Sequence, residues 1–312
     1  MSINTLQADF GHLETMMATV RGRKRPRAVA VVQPVSSYAL GAVLQAAQEG
    51  FVRAVLVGDE KRIRALGASE GLRLADTRII DAHTDAQAAE RAVALIRSGD
   101  AEMLMKGHIH TDDFLRPTLD REKGLRTGRT MSHAFACYLP QHIYPKALLL
   151  TDGAFNIAPT LETKRAILEN AIALAHALGV AIPKVAILAA TEEVNPAMPA
   201  TVDARALRDM NRSGEIVGAI VDGPFAFDNA LSSEAARMKG IDSPVCGDPD
   251  ILLVPTIEAG NMLYKEMVHF CGAITPGIVL GASAPILLTS RADPPEARLA
   301  SCALAAAYLD AA

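Results

Sequence analysis

Short continuous apolar runs alternate along this chain with stretches whose apolar residues recur every three or four positions. The runs fall at 28–32, 54–57, 78–80, 103–105, 147–150, 185–188, 216–221, 251–254, 278–280 and 286–288. Most lack the apolar–polar alternation of a half-exposed strand. They read as strands covered on both faces, the pattern of parallel sheets. Helical stretches lie between them. The clearest covers 161–178, where Ile167, Ala171, Leu174 and Leu178 share a face and Lys164, Arg165 and Glu169 fall mainly elsewhere. Thr160 stands at its start and Gly179 at its end. Further helices are expected over 84–97, 257–269 and 295–309. This alternation predicts an α/β, doubly wound architecture. The strands are too many for one comfortable sheet, which predicts two α/β domains. A break is expected near 138–145, where Pro140 and Pro145 flank a short polar turn.

Composition narrows the class of function. The 312 residues are 50% hydrophobic and 21% charged, ordinary for a globular chain and enough for a real core. The 31 Lys and Arg against 35 Asp and Glu leave a net charge of −4, so no basic field exists for nucleic acid. Aromatics are 4% and tryptophan is missing, which speaks against base-stacking platforms. Cys137, Cys246, Cys271 and Cys302 lie far apart with no CxxC. That spacing speaks against a zinc cluster or disulfide framework and fits a reducing cytoplasm. Asp9 and Glu14 interrupt any signal-like apolar run near the start. The stretch 267–290 carries no Asp, Glu, Lys or Arg and is long enough on paper to span a bilayer. Pro276, Gly277, Gly281 and Pro285 chop it into pieces, so buried strands are expected there and no membrane association.

The common nucleotide and hydrolase fingerprints are missing: there is no GxxxxGK[ST], no GxGxxG after a strand, no GxSxG and no HExxH. Five polar segments instead follow strand ends, where α/β proteins keep their sites. Lys106-Gly-His-Ile-His-Thr111 leads to Leu115-Arg116-Pro117. Here Thr111 is expected to cap a helix. Arg116 reads either as a surface arginine or as part of an anion site at the helix start. Asp152-Gly153 is either a plain turn or a cleft-lining loop running to Asn156. Asp222 to Asn229 suits a shaped loop and names no chemistry. Asn261 and Lys265 share a helix face, with Lys265 either solvated or a phosphate ligand. Ser290 and Arg291 emerge after the last strand, before a helix opened by Pro295 and Glu296. They read either as a helix cap with a surface arginine or as a phosphate or oxyanion cradle. The eight histidines show no ligand spacing, and no metal site is expected.

Taken together, these segments resemble the phosphate acetyltransferase/phosphate butyryltransferase family, more closely the butyryl branch. The resemblance rests on TDGAFNIAPTLETKRAILENA, LGVAIPKVAILAATEEVNPAMPATVDA, GAIVDGPFAFDNA, KGIDSPVCGDPDILLVPTIEAGNMLYK and LLTSRADPPEARLASCALA, and runs from about Lys106 to the C-terminus. It implies reversible acyl transfer between coenzyme A and inorganic phosphate, with acyl-CoA, phosphate and acyl phosphate as the small-molecule partners. No permanently bound cofactor and no metal are implied. It also implies two isocitrate/isopropylmalate dehydrogenase-like domains with a cleft between them, here 1–138 plus 286–312 and 139–285, in a cytoplasmic homodimer. Ser290 and Arg291 match the family's Ser-Arg pair, and Arg116 matches the arginine of its T-x-x-x-L-R-P segment. The expected roles are Ser290 at the reacting carbonyl or thiol and Arg116 with Arg291 on phosphate. Lys106, Thr111, Asp152, Asn261 and Lys265 are expected to bind substrate. Acetyl-type members carry an acid seven positions after the serine, and here that position is Ala297. The butyryl-type pattern keeps an acid at Asp293, which is either the base or a helix cap. Met131, Phe135, Phe225 and Met262 are the apolar candidates for an acyl pocket. Two other readings stay open: a metal- and NAD-dependent dehydrogenase on the same fold, and a non-catalytic acyl-CoA or acyl-phosphate sensor.

Overall fold

A computed structural model describes residues 9–21, 25–74, 76–288 and 294–311. Helix α1 (Gly11–Arg21) leads into β1 (Arg27–Val32), α2 (Ser37–Gln48), β2 (Val52–Gly58), α3 (Glu60–Ser69), β3 (Arg78–Asp81), α4 (Asp85–Ser98), β4 (Met103–Lys106) and α5 (Thr111–Thr118). Next come β5 (Ser132–Cys137), β6 (Leu148–Thr151), α6 (Leu161–Ala177), β7 (Lys184–Leu188), α7 (Pro199–Ser213), β8 (Ile220–Phe225), α8 (Phe227–Leu231), α9 (Ser233–Met238), β9 (Ile251–Leu253) and α10 (Ile257–His269). The chain then gives β10 (Gly277–Leu280), β11 (Ile286–Leu287) and α11 (Pro295–Ala311). Among the described residues no helix is long and apolar enough to cross a membrane.

Two compact units emerge. The first holds residues 14–129 and 276–310, the second residues 9–13 and 130–275. The expectation from sequence breaks the chain after 138 and 285, whereas the compact units break after 129 and 275. Strand pairing explains the difference. β5 runs antiparallel along β6, with Phe135 opposite Leu150, and β10 runs antiparallel to β11, with Val279 opposite Ile286. Each stays with its ladder partner.

In the first unit the strands lie in the order β3-β2-β1-β4-β11-β10. All but β10 are parallel to their neighbours. In the second unit the order is β5-β6-β9-β7-β8, with β6, β9, β7 and β8 parallel. Strands such as β4 and β6 are buried at every position, as their unbroken apolar runs require. The second unit's core joins Phe135, Leu148, Leu150, Leu188, Phe225, Leu252 and Met267.

Helix ends follow local chemistry. Ser36, Asp59, Thr84 and Thr160 each accept a hydrogen bond from a first-turn amide. Gly179, at φ 88°, closes α6 as expected, since only glycine enters the left-handed region without strain. Two expectations change. Thr111 does not cap α5: His110 occupies that position, without a side-chain cap bond, and Thr111 is the first helical residue. The strand expected at 216–221 starts only at Ile220. Asn211 holds the preceding segment as a loop, donating to Ile216 O at 2.9 Å and Ala219 O at 3.0 Å and accepting from Val221 N at 3.1 Å. β5 escapes a reading by apolar runs because it opens on Ser132 and His133, although all six of its residues are buried. Cys137 and Cys302 are free thiols. Burial pushes both up to about 12, which leaves them inert near neutral pH.

Candidate active site

In the first unit, β1 has β2 on one side and β4 on the other. Chain order therefore reverses between β1 and β4, and the crevice beyond their carboxyl ends is where open α/β sheets bind ligands. Past β4, Gly107 N donates to Val32 O at 2.9 Å and His108 N donates to Gln33 O at 2.8 Å. The two backbones are stitched so closely that a Cβ at Gly107 would sit 2.5 Å from Gln33 O and closer still to Val32 O. Lys106 is buried at this junction. Gln33 has φ 50°, a left-handed conformation that a side chain normally avoids. It is buried, and its Oε1 has no hydrogen-bond partner. Nothing in the sequence reading flagged Gln33, whose only local signal is the proline that follows it.

Thr111 is exposed at the start of α5. Arg116 is also exposed, and its Nη2 lies 3.1 Å from Asp113 Oδ1. It lines a cavity of ≈ 730 Å³ between α4 and α5, together with Glu90, Val93, Arg97 and Pro117. β11 lies beside β4, pairing Ile286 with Leu104 and Leu287 with Met105. The chain therefore enters the Ser290–Arg291 segment from the strand next to Lys106 and resumes at α11 in the same unit. Ser290, Arg291 and Asp293 themselves lie outside the described residues.

In the second unit, Asp152 follows β6 across a cis Thr151–Asp152 peptide bond and is buried. Its Oδ1 accepts from Ala154 N at 3.0 Å and Phe155 N at 2.9 Å. Its Oδ2 accepts from Asn156 N at 3.2 Å and Asn156 Nδ2 at 2.7 Å. A carboxylate has about four lone-pair positions, so this one is fully used within its own loop. Asp152 therefore holds the loop in shape, rather than offering a free oxygen to a ligand. Asn156 Nδ2 also donates to Met131 O at 2.9 Å, tying the loop to the segment before β5.

The same loop meets the start of α10. A Cβ on Gly153 would sit 2.8 Å from the Gly260 carbonyl carbon, so both positions need glycine for the backbones to touch. Asn261 Nδ2 reaches Gly153 O at 3.3 Å. Asp152 and Asn261 are thus brought together, and Lys265 stands exposed one turn further along α10. Of the apolar pocket candidates, Met131, Phe135 and Phe225 are buried, the last two within the core cluster, and Met262 is 66% exposed.

His133, for which residue spacing predicts no role, is buried, with its ring centroid 4.2 Å from that of Phe135. Burial pushes its pKa down to about 4, against the opposing pull of the Asp152 carboxylate. Its Nδ1 has no partner. Phe135 in turn stacks on Tyr264 of α10, with centroids 4.1 Å apart.

The chain matches the family model "Phosphate acetyl/butaryl transferase" over residues 87–306. It is 45% identical over 295 residues to a phosphate acetyltransferase of Rhizobium meliloti, spanning 95% of this chain and 92% of that protein. It is 42% identical over 301 residues to a phosphate butyryltransferase of Clostridium beijerinckii, spanning 96% and 98%. Among solved structures, a branched-chain phosphotransacylase from Enterococcus faecalis V583 matches with a TM-score of 0.78 and 33% identity, over 91% of this chain and 99% of that one.

Two outcomes follow from the Asp152 loop. In Asp152→Asn, an amide group replaces one acceptor and faces donors. Urea denaturation should show a loss of about 1–3 kcal/mol, and unchanged stability would mean that the carboxylate does not hold the loop. For His133, the unfolded chain takes up a proton near pH 6.5, while the folded chain does so only near 4. Stability should therefore fall as pH drops through this window and level off below it. His133→Asn should lack that component of the slope in urea midpoints from pH 7 to 4. An unaltered slope would reject the assignment.

Proposed function

Since the chain belongs to the phosphate acetyl/butyryl transferase family, and is accordingly an acyltransferase, we propose that it moves a short acyl group reversibly between coenzyme A and inorganic phosphate. The observation that carries the reading is near-full-length similarity to relatives of both names. Placing β11 against β4 supports it, because the strand that precedes the family's Ser-Arg pair in the chain then ends beside buried Lys106.

In the proposed reaction the coenzyme A sulfur attacks the carbonyl carbon of an acyl phosphate. The C–S bond forms, the carbonyl oxygen gains negative charge, and the C–O bond to phosphate then breaks. The thiol proton must go to a base. Ser290 donates a hydrogen bond at the carbonyl or thiol, and Arg116 with Arg291 holds the departing phosphate through their guanidinium forks. To serve, Arg116 must exchange Asp113 for the phosphate. That exchange is inexpensive, because an exposed ion pair contributes only ~0–1 kcal/mol. Lys106, Thr111, Asn261 and Lys265 are assigned to substrate binding, while Asp152 serves by shaping its loop. Asp293 is assigned as base or helix cap. Coenzyme A is a substrate and not a resident cofactor. The working form is proposed to be a cytoplasmic homodimer. In support, α10 buries only Gly260 and Met267 while Met262 and the adjoining Phe270 stand 66% and 87% exposed.

The direct test is release of coenzyme A from acyl-CoA, with and without inorganic phosphate. Phosphate-dependent release is expected. Binding of acyl-CoA without turnover would favour a sensor, and activity only with NAD and a divalent ion would favour the dehydrogenase. Running acetyl-, propionyl- and butyryl-CoA in parallel reads acyl preference. A four-carbon chain is expected to be used at least as well as acetyl. Two further methylenes buried in an apolar pocket contribute ~1.6 kcal/mol, or about fifteen-fold in kcat/KM. A tenfold preference for acetyl-CoA would defeat the acyl assignment and leave the reaction class intact.

The same assay tests the arginine. Arg116→Ala should lower kcat/KM by ~2–4 kcal/mol of transition-state stabilisation, and Arg116→Lys should recover only part of it, lacking the bidentate fork. Unchanged kinetics at subsaturating phosphate would remove Arg116 from the site.

A further inference from the structure

At the amino ends of β1 and β2, opposite the edge that carries Gln33 and Lys106, the first unit has a second cavity of ≈ 610 Å³. That volume falls within the range of small-molecule sites, about 300–1,000 Å³. Arg25, Arg53 and Arg73 all line it. All three are exposed, and none makes a hydrogen bond or ion pair with a described residue. Their neighbours differ. Arg21 holds Glu49 at 2.6 Å, Arg27 holds Glu102 and Asp310, and Arg78 reaches Asp100 at 4.0 Å. Those carboxylates are thus taken, and Arg25, Arg53 and Arg73 line one space together with Asp76.

Arg53 is fixed most firmly. It is the one exposed residue of β2, a strand hydrogen-bonded on both sides by β1 and β3. Pro26, Leu44 and Val52 give the cavity an apolar wall, and Gln48, Asp76 and Thr77 add polar side chains to its lining. Three cations, the acceptor oxygens of Gln48, Asp76 and Thr77, and an apolar wall match an anion that carries an apolar ring and hydroxyl groups. Inorganic phosphate or a simple carboxylate would leave the wall and Asp76 unused. Six residues of β1, at ~3.3 Å each, put about 20 Å between this cavity and the Gln33 end, so the ligand is not the acyl group or the phosphate being transferred.

We propose that this arginine-lined cavity binds a nucleoside di- or triphosphate, with the phosphates on Arg25, Arg53 and Arg73 and the base against Leu44 and Val52. Guanidinium forks suit phosphate oxygens. The inference stands apart from the acyl-transfer reading, because binding is measured without turnover.

Isothermal titration of the full chain with ADP is expected to show saturable binding below millimolar concentration. Arg53→Glu and Arg73→Glu should each weaken it tenfold or more. Both residues are exposed, so thermal melts of the variants should match the parent, and their kcat and their KM for coenzyme A should not move. Inorganic pyrophosphate, which has no base, should bind at least tenfold more weakly than ADP. Absence of saturable ADP binding, or ADP binding untouched by either variant, would overturn the proposal. Pyrophosphate binding as tight as ADP would reject the nucleoside, and a parallel rise in KM for coenzyme A would assign the cavity to the substrate.

Discussion

A parallel strand covered on both faces has nowhere to place a polar side chain except at its ends. That constraint organises both units. β4 and β6 are buried at every position, and their charged residues come at the carboxyl ends, Lys106 as the last residue of β4 and Asp152 directly after β6. The backbone must also leave the sheet there without stranding its own amides. Gly107 and His108 solve this by extending the ladder onto Val32 and Gln33. Asp152 solves it by taking up the amides of residues 154 to 156. The site edges are therefore shaped by backbone hydrogen-bond accounting before any substrate is considered.

Lys164 and Asn170, polar residues that lie inside, are matched. Lys164, 7% exposed at its side chain, meets Asp203 at 2.7 Å, and Asn170 donates to Thr130 O and Ser132 Oγ from within α6. Removing one partner of such a pair leaves the other desolvated, which costs more than the pair contributes. Among the described residues, buried atoms without a hydrogen-bond partner include Gln33 Oε1 and His133 Nδ1, beside strand ends, and also both ring nitrogens of His12 on α1 and Asn229 Oδ1 on α8.

Sequence pattern carried the parallel strands well, because burial on both faces writes an unbroken apolar run such as Met103 to Met105. It carried α6 equally well, since Thr160 and Gly179 mark its ends in residue types that caps require. β5 was illegible because its burial comes from an antiparallel partner, β6, and it opens on a serine and a histidine. Asp152 was legible as a residue of interest but not in its role. A turn-forming aspartate and a ligand-binding one look alike until the four donors around the carboxylate are seen. Gln33 and His133 were missed because their significance lies in a backbone torsion and in burial, and neither leaves a trace in residue type.

In the proposed reaction the thiol proton needs an acceptor, and residue 297 does not supply one. Position 297, where acetyl-type relatives were expected to carry an acid, is an alanine only 2% exposed. Its methyl group packs on the buried face of α11, so a carboxylate there would be desolvated and its acidity lowered. Glu296 is exposed and lies one residue away. Consecutive helical side chains diverge by about 100°, so Glu296 cannot take the place of residue 297 on that face. In the proposed reaction neither residue 297 nor Glu296 in its place is therefore assigned to the thiol proton.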